Sequence, residues 1–373
     1  MRWLAQEKTY HICHNLDVSR RNLLIAFSHE NIHNIRQELL SAYGRIPELT
    51  TVSTFDSFVY HNFILPYESS IAEYFNHPEF ESRGICVISP PNPRIKNKTG
   101  KSIHNPNYVK KELIGHYITK ENQYYCATLS ELALQIKKRG ESLVKRAVRR
   151  LNLFFDTVLV DEFQDFRKYD FELILLISKY FHDIVLVGDY YQHSVSAINN
   201  SGKPFDENTS YESFVLDLER EGFRVDQSSL VKSRRCSKEV CAYVTQKLGI
   251  KIASCEINNG AVVWADEFAE DILNNDEILK LVYNNSDRYK FRAMNWSYSK
   301  GDTVKAACVI LTSQFENLSE ESFCSTGIPT STLNKLYVAM TRSCGDLYLI
   351  KSSTFKKLMK RYQINGGDMV KES

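Results

Sequence analysis

Two short acidic clusters, each closing an apolar run, constrain this chain more than any other feature. Thr157-Val158-Leu159-Val160 runs straight into Asp161-Glu162-Phe163-Gln164-Asp165, and Ile184-Val185-Leu186-Val187 runs into Gly188-Asp189-Tyr190-Tyr191-Gln192. Between them an amphipathic pattern predicts a helix from Tyr169 to Tyr180. Two near-continuous apolar runs joined by a helix read as a βαβ unit of a parallel sheet buried on both faces. In open sheets of this kind ligands sit beyond the carboxyl ends of the strands, where both acidic clusters fall.

Nucleotide hydrolysis is the chemistry such clusters suit. A carboxylate at a strand tip, Asp161, can hold Mg²⁺, an ion that prefers hard oxygen ligands and keeps several waters. The adjacent Glu162 can orient or deprotonate an attacking water, and Gln192 at the next tip is placed to sense a terminal phosphate. The plainer reading makes DEFQD a polar strand-to-helix turn with Asp165 capping the helix. Two clusters on consecutive strands, at this spacing, count against it.

Composition narrows the class. A chain of 373 residues has room for two domains with sizeable cores. Its 43% hydrophobic and 25% charged residues are ordinary for a globular protein. No apolar run is long enough for a bilayer, and the start lacks a signal-peptide pattern. Nine scattered cysteines without a CxxC pair fit reduced thiols, so the expected location is the cytoplasm and no membrane partner is expected. Cys236 and Cys241 are expected in the core. The net charge of +2 says little about partners.

Asp161–Asp165 and Gly188–Gln192 resemble motifs II and III of the UvrD/Rep-type superfamily-one (SF1A) DNA helicases, and the remaining motifs follow in order. Ala26-Phe27-Ser28-His29 resembles the TFTN element and Thr54-Phe55-Asp56-Ser57-Phe58 the TFHSF element. In relatives these line a single-strand track, so the resemblance assigns Phe27, Thr54, Phe55, Ser57 and Phe58 to DNA, with hydroxyls for phosphates and aromatics for bases. Leu230–Ser237 resembles the NYRS element, with Arg235 in place of the arginine that approaches the terminal phosphate. Trp296–Thr303 resembles HSxKGLEF, placing Gly301 and Thr303 at the nucleotide, although Thr303 stands where the family has glutamate. Leu336–Arg342 resembles YVAxTRA and makes Arg342 an arginine finger, a role suited to a planar, permanently charged group. Taken without the resemblance, Tyr337–Arg342 is a helix end with a cation compensating its dipole.

The resemblance spans about Leu23 to Ile350. It implies an α/β fold of two RecA-like parallel-sheet P-loop NTPase domains with a small helical insertion in the first. The expected division is 1–228 with the insertion at 59–150, then 229–360, then a tail at 361–373. It also implies ATP and Mg²⁺ as cofactors, single-stranded or tailed duplex DNA as partner, and 3′-to-5′ movement. A helical segment from Leu129 to Arg150, rich in lysine and arginine, is read with equal weight as a DNA backbone contact or a solvated face.

The phosphate loop is where the pattern breaks. Gly100-Lys101-Ser102 sits in a Pro/Lys/Asn loop after the first motifs and is a decoy. The better candidate is Glu7-Lys8-Thr9, with Lys8 for phosphate and Thr9 for Mg²⁺; Arg2 and Glu7 then replace the two glycines of GxxxxGK[ST]. Successive N–H groups wrap phosphate in conformations glycine adopts cheaply, so this replacement predicts weak ATP binding. On this register nothing precedes Arg2 to form the central strand. The expectation is a chain whose start is lost or reassigned, or one that keeps the fold for binding alone. Ala197 and Ile198 stand where relatives place a base-stacking aromatic or arginine. The alternative function is a non-catalytic DNA-binding or regulatory subunit of a nuclease in a repair or phage-defence assembly.

Overall fold

The computed structural model describes residues 2–5, 8–97, 99–138, 140–193, 204, 210–228 and 231–364. The apolar runs form two wholly parallel sheets. The first has the order Arg224–Asp226, Arg2–Ala5, Ile184–Gly188, Thr157–Val160, Asn22–Ala26, Thr50–Thr54. The second has the order Val262–Trp264, Leu347–Ile350, Ala307–Ile310, Leu279–Val282, Ala293–Asn295. Parallel strands need crossovers, and helices His29–Tyr43 and Lys168–Ser178 supply them in the first sheet. Thr157–Val160, Leu279–Val282 and Ala307–Ile310 are buried at every position, as strands covered on both faces must be. This is the RecA-like α/β architecture expected.

The N-terminal register is corrected. Arg2–Ala5 is itself a central strand, pairing in parallel with Ile184–Gly188 on one side and Arg224–Asp226 on the other. Its ladder occupies the position the sequence assigned to the first loop glycine. Helix Lys8–His14 begins three residues after Ala5, and Gln6 and Glu7 lie outside the described residues. A strand bonded on both edges satisfies its backbone more fully than a loop does.

The segment expected as one helix at 129–150 is two. Leu129–Gln135 and Leu143–Leu151 are separated by a hairpin, Lys137–Lys138 with Glu141–Ser142, and Gly140 takes a left-handed φ of 80° in the turn. Ser142 caps the second helix, its hydroxyl accepting from the Lys145 amide. That helix buries Leu143, Val144, Ala147, Val148 and Leu151. Its cations find protein partners: Arg149 pairs with Glu141, Lys145 lies over Tyr180 and Arg146 over Tyr67. Gly100-Lys101-Ser102 lies at the turn of an exposed antiparallel ribbon, Arg94–Lys96 with Ser102–His104, and not at a strand-to-helix junction.

Helix Ser352–Ile364 passes through the expected 360/361 boundary. In the second sheet the segments leading to neighbouring strands pass almost in contact. A Cβ on Gly260 would collide with the Gly345 carbonyl, and one on Gly345 with the Lys305 carbonyl. Among the described residues no helix is long and apolar enough to cross a membrane.

Candidate active site

The first strand tip is built on Asp161. Its amide still bonds the Ile25 carbonyl, so the carboxylate stands at the last rung of the ladder, and the residue is 1% exposed. Asp161 Oδ2 accepts from the Thr9 hydroxyl at 2.8 Å and Oδ1 from the Glu162 amide at 2.9 Å. Thr9 lies in the first turn of helix Lys8–His14, so two residues 152 positions apart meet here. Lys8 opens that helix, and its side chain lies outside the described residues.

Glu162 adopts φ 53° and ψ 39°, a left-handed conformation uncommon outside glycine, asparagine and aspartate. Strain of this kind persists where the surroundings over-determine it, often at functional sites. The kink turns the chain off the strand into the turn Phe163–Asp165. The Glu162 carboxylate accepts from the Gln164 side-chain amide and lies 3.3 Å from the Lys300 ammonium. Gln164 Oε1 in turn accepts from the Asp189 amide at 2.9 Å, which ties the two tips together. Asp165 does not cap the following helix, whose N-cap is Arg167 without a side-chain bond. Both Asp165 oxygens instead take a hydrogen bond from Lys300 at 2.6 Å. The helix-cap reading of Asp165 is therefore corrected.

The second tip is equally enclosed. Asp189, 1% exposed, accepts from the Tyr191 amide at 3.0 Å, from Gln192 Nε2 at 2.9 Å and from the Tyr337 hydroxyl at 2.9 Å. Tyr337 belongs to helix Thr330–Met340 of the second sheet, as does Asn334, which faces His193 at 3.4 Å. Lys300, Tyr337 and Asn334 thus stitch the second layer onto the tips of the first.

Arg342 arrives from the same side. It is 1% exposed, with Nε donating to the Val338 carbonyl at 2.7 Å and the terminal nitrogens to Thr341 Oγ1 and the Ser299 carbonyl. Burial pushes its pKa down to about 9, and the neighbouring Arg235 charge adds to the effect. Among the described residues no carboxylate is bonded to either cation, which leaves positive potential for an anion. Arg235 Nε donates to the Thr303 hydroxyl at 2.7 Å, so Thr303 positions this arginine. Gly301, at φ 93°, turns the chain between Lys300 and Thr303.

Several of these residues line one cavity of about 540 Å³, with Asp161 buried behind Thr9 and Glu162. Thr9, Glu162, Asp189 and Gln192 line it from one side, and Arg235, Gly301, Thr303 and Arg342 from the other. Tyr10 and Arg234 also line it, and sequence reading missed both. The Arg234 guanidinium lies 3.9 Å from the Tyr10 ring centroid, and Tyr10 stacks on His14 at 3.9 Å. The available signal was adjacency, since each sits next to a residue already singled out. Cys236 and Cys241 are buried beneath this wall. A hydrogen bond from Cys241, working against burial, brings the Cys236 thiol down to about 7, helped by Ser233 and the two arginines.

The residues assigned to DNA divide. Thr54 caps helix Phe55–Val59, its hydroxyl accepting from the Ser57 amide, and the Ser57 hydroxyl meets His61 Nδ1 at 3.2 Å. Phe27 is 38% exposed and edge-on to Phe166. Phe55 and Phe58 are corrected: at 2% and 1% exposed they pack in the main core and offer no ring face to a base. Spacing three apart on a short helix turns both inward together. Ala197 and Ile198 lie outside the described residues.

A family model described as UvrD/REP helicase N-terminal domain matches residues 91–194. Among solved structures, arterivirus nonstructural protein 10 (helicase) in complex with DNA aligns at 12% identity and TM-score 0.44, over 96% of this chain and 62% of that one. The helicase nsp10 of PRRSV aligns at 11% identity and TM-score 0.21, over 99% of this chain and 56% of that one. This chain therefore spans about six tenths of the length of those helicases. No curated protein gives a match.

Proposed function

We propose that this chain, whose residues 91–194 are of the UvrD/REP helicase N-terminal type, is an ATP-driven DNA helicase or translocase, moving 3′ to 5′ by family resemblance. Residues 1–228 and 229–360 are its two motor domains, with nucleotide between them. One observation carries the reading: acids from one parallel sheet and arginines from the other converge on a single cavity.

The residues present suit a magnesium nucleotide. Mg²⁺ takes one or two carboxylates and completes its shell with water and phosphate oxygens, which matches Asp161 beside the Thr9 hydroxyl. Asp161 and Thr9 would hold the ion, which would supply charge neutralisation at the phosphates. Glu162 orients the attacking water, Gln192 contacts the terminal phosphate, and Arg235 and Arg342 stabilise charge in the transition state. Tyr10 and Arg234 provide a flat cationic and aromatic pair suited to a purine. Phe27, Thr54 and Ser57 remain for the single strand.

Nucleotide affinity is low on this reading. Only residues 6 and 7 separate strand Arg2–Ala5 from the helix that opens at Lys8, too few for a full cradle of backbone N–H groups. Restoring glycine at position 2 would place it in a strand, so a working loop needs inserted residues. The same feature favours the second reading, a non-catalytic DNA-binding or regulatory subunit of a nuclease assembly in repair or defence.

Phosphate release with and without DNA separates the two. The catalytic reading expects DNA-stimulated hydrolysis that Glu162→Gln reduces by about 10²–10⁴-fold. A parent chain that binds DNA but releases no phosphate assigns it to the second reading. A Glu162→Gln variant as fast as the parent removes Glu162 from its role.

A further inference from the structure

Between Ser82 and Lys111 the chain carries Arg83, Arg94, Lys96, Lys98, Lys101, Lys110 and Lys111 and not one aspartate or glutamate. The whole chain is balanced, with 47 basic and 45 acidic residues, so thirty residues without a carboxylate are a marked local departure. The structure puts the middle of this stretch on the ribbon Arg94–Lys96 with Ser102–His104, exposed at all six positions. We propose that this ribbon grips double-stranded nucleic acid by its phosphate backbone, a contact that rests on the helicase reading and adds to it a site for the duplex.

Register sorts the ribbon into two faces. Arg94 lies opposite His104 and Lys96 opposite Ser102, so these four share one face, while Ile95 and Ile103 pair on the other. Arg94 and Lys96 stand about 7 Å apart on one strand, close to the axial rise of two phosphates along a duplex strand. A two-stranded ribbon also has the width that a duplex major groove admits. Among the described residues no ion pair engages Arg94, Lys96 or Lys101, in contrast with Lys138 and Arg149, which are paired to Glu73 and Glu141.

The ribbon is mounted rigidly. Asn97 Oδ1 accepts from the Thr99 amide, the Thr99 hydroxyl and the Lys101 amide, and Gly100 supplies the left-handed residue of the turn at φ 78°. At the base, the buried Asn105 donates from Nδ2 to the Asn92 carbonyl and from its amide to the Pro93 carbonyl. Beyond it, Ile114 and Tyr117 anchor the chain in the main core. A pre-ordered cationic element loses less entropy on binding than a flexible loop.

Two other roles are weaker fits. Lysines on an open ribbon discourage edge-to-edge association, but one or two charges of either sign do that, and it leaves the missing carboxylates unaccounted for. A single-strand platform needs several aromatic rings, and from Arg94 to Asn107 there is no Phe, Tyr or Trp and the one imidazole is His104. Shape and charge both point to the duplex.

The test is the salt dependence of binding, measured on the full chain with a blunt duplex and with one of its strands alone. Replacing Arg94 and Lys96 together by glutamine lowers the duplex slope of log K against log salt by about 1.8, at about 0.9 per phosphate. Between roughly 50 and 200 mM salt the parent then loses about 12-fold more duplex affinity than the variant. The single-strand slope and DNA-stimulated phosphate release stay at parent values. Arg94→Lys with Lys96→Arg keeps the parent duplex slope. A double glutamine variant that retains the parent duplex slope overturns the ribbon assignment and leaves the helicase reading standing. Equal losses on duplex and single strand overturn the choice of duplex. A parent that binds neither nucleic acid overturns both the ribbon and the helicase reading.

Discussion

Replacing Lys300 by methionine removes the cation that three carboxylate oxygens of the opposite layer share. Lys300 Nζ lies 2.6 Å from both Asp165 oxygens and 3.3 Å from Glu162 Oε2, with side-chain exposures of 17%, 27% and 18% for the three residues. At an effective dielectric of about 20, each of the two carboxylates contributes about 5–6 kcal/mol of attraction before desolvation. Desolvation cancels most of that. Breaking a buried pair from one side nevertheless costs about 3–5 kcal/mol, because the carboxylates stay behind uncompensated. Residual solvent access places the cost at the low end, about 3 kcal/mol. Methionine retains the aliphatic stem, so packing is largely preserved.

The assay is a double-mutant cycle of Lys300→Met and Asp165→Asn, read as urea unfolding midpoints. Asparagine fills the same volume without the charge, so the double variant recovers part of the loss, with a coupling energy of about 2 kcal/mol. The pH dependence carries a sign. Burial opposes the Lys300 charge, but Asp165 and Glu162 override it and the pKa is raised. A raised pKa in the folded state means that the contribution is complete below the unfolded value, about 10.4, and is lost as pH climbs through the folded value. The parent therefore loses stability on the alkaline side more steeply than Lys300→Met. Single variants whose effects add within about 0.5 kcal/mol would refute the tether.

Two further outcomes follow from the same seam. Tyr337→Phe strips one of three donors from the buried Asp189 and lowers thermal stability by about 1–3 kcal/mol; an unchanged melting temperature would mean that the hydroxyl does not serve that carboxylate. Burial first, then the Arg167 and Lys300 charges, push His193 down to about 4 against a backbone hydrogen bond to Tyr190. The unfolded chain binds the extra proton between about pH 4 and 6.5, so stability rises with pH across that window by on the order of 3 kcal/mol. His193→Asn should flatten this limb in urea titrations, and an unaltered limb would reassign it to other groups.

The two strand tips were legible because everything they require is local. An apolar run of four, an acid at its end and a helix behind it can be read within one window, and Thr157–Val160 and Ile184–Gly188 fall there. Arg2–Ala5 was not legible, since a four-residue strand owes its identity to partners some 180 and 220 positions away. Asp165 shows the same limit. Its spacing suits a helix cap, and only the fold brings Lys300 to it across 135 residues. Phe55 and Phe58 were misplaced for another reason: resemblance gave them a surface role, while burial on one side of a short helix gave them the core. Arg235 and Arg342 could be placed near the acids only by resemblance, because their meeting depends on how two sheets stack. The Thr303 hydroxyl on Arg235 was invisible from either source.

The crossing of Gly260, Gly345 and Lys305 sets a boundary on how this chain can vary. No rotamer choice relieves a collision between a first side-chain carbon and a carbonyl, because the backbone alone fixes where both atoms lie. In a saturation library screened only for folded product, positions 260 and 345 should return glycine alone, while the exposed strand positions of the ribbon, such as Arg94 and Lys96, accept most residues. Alanine at either position would force apart the segments that feed the second sheet without replacing any residue that lines the cavity.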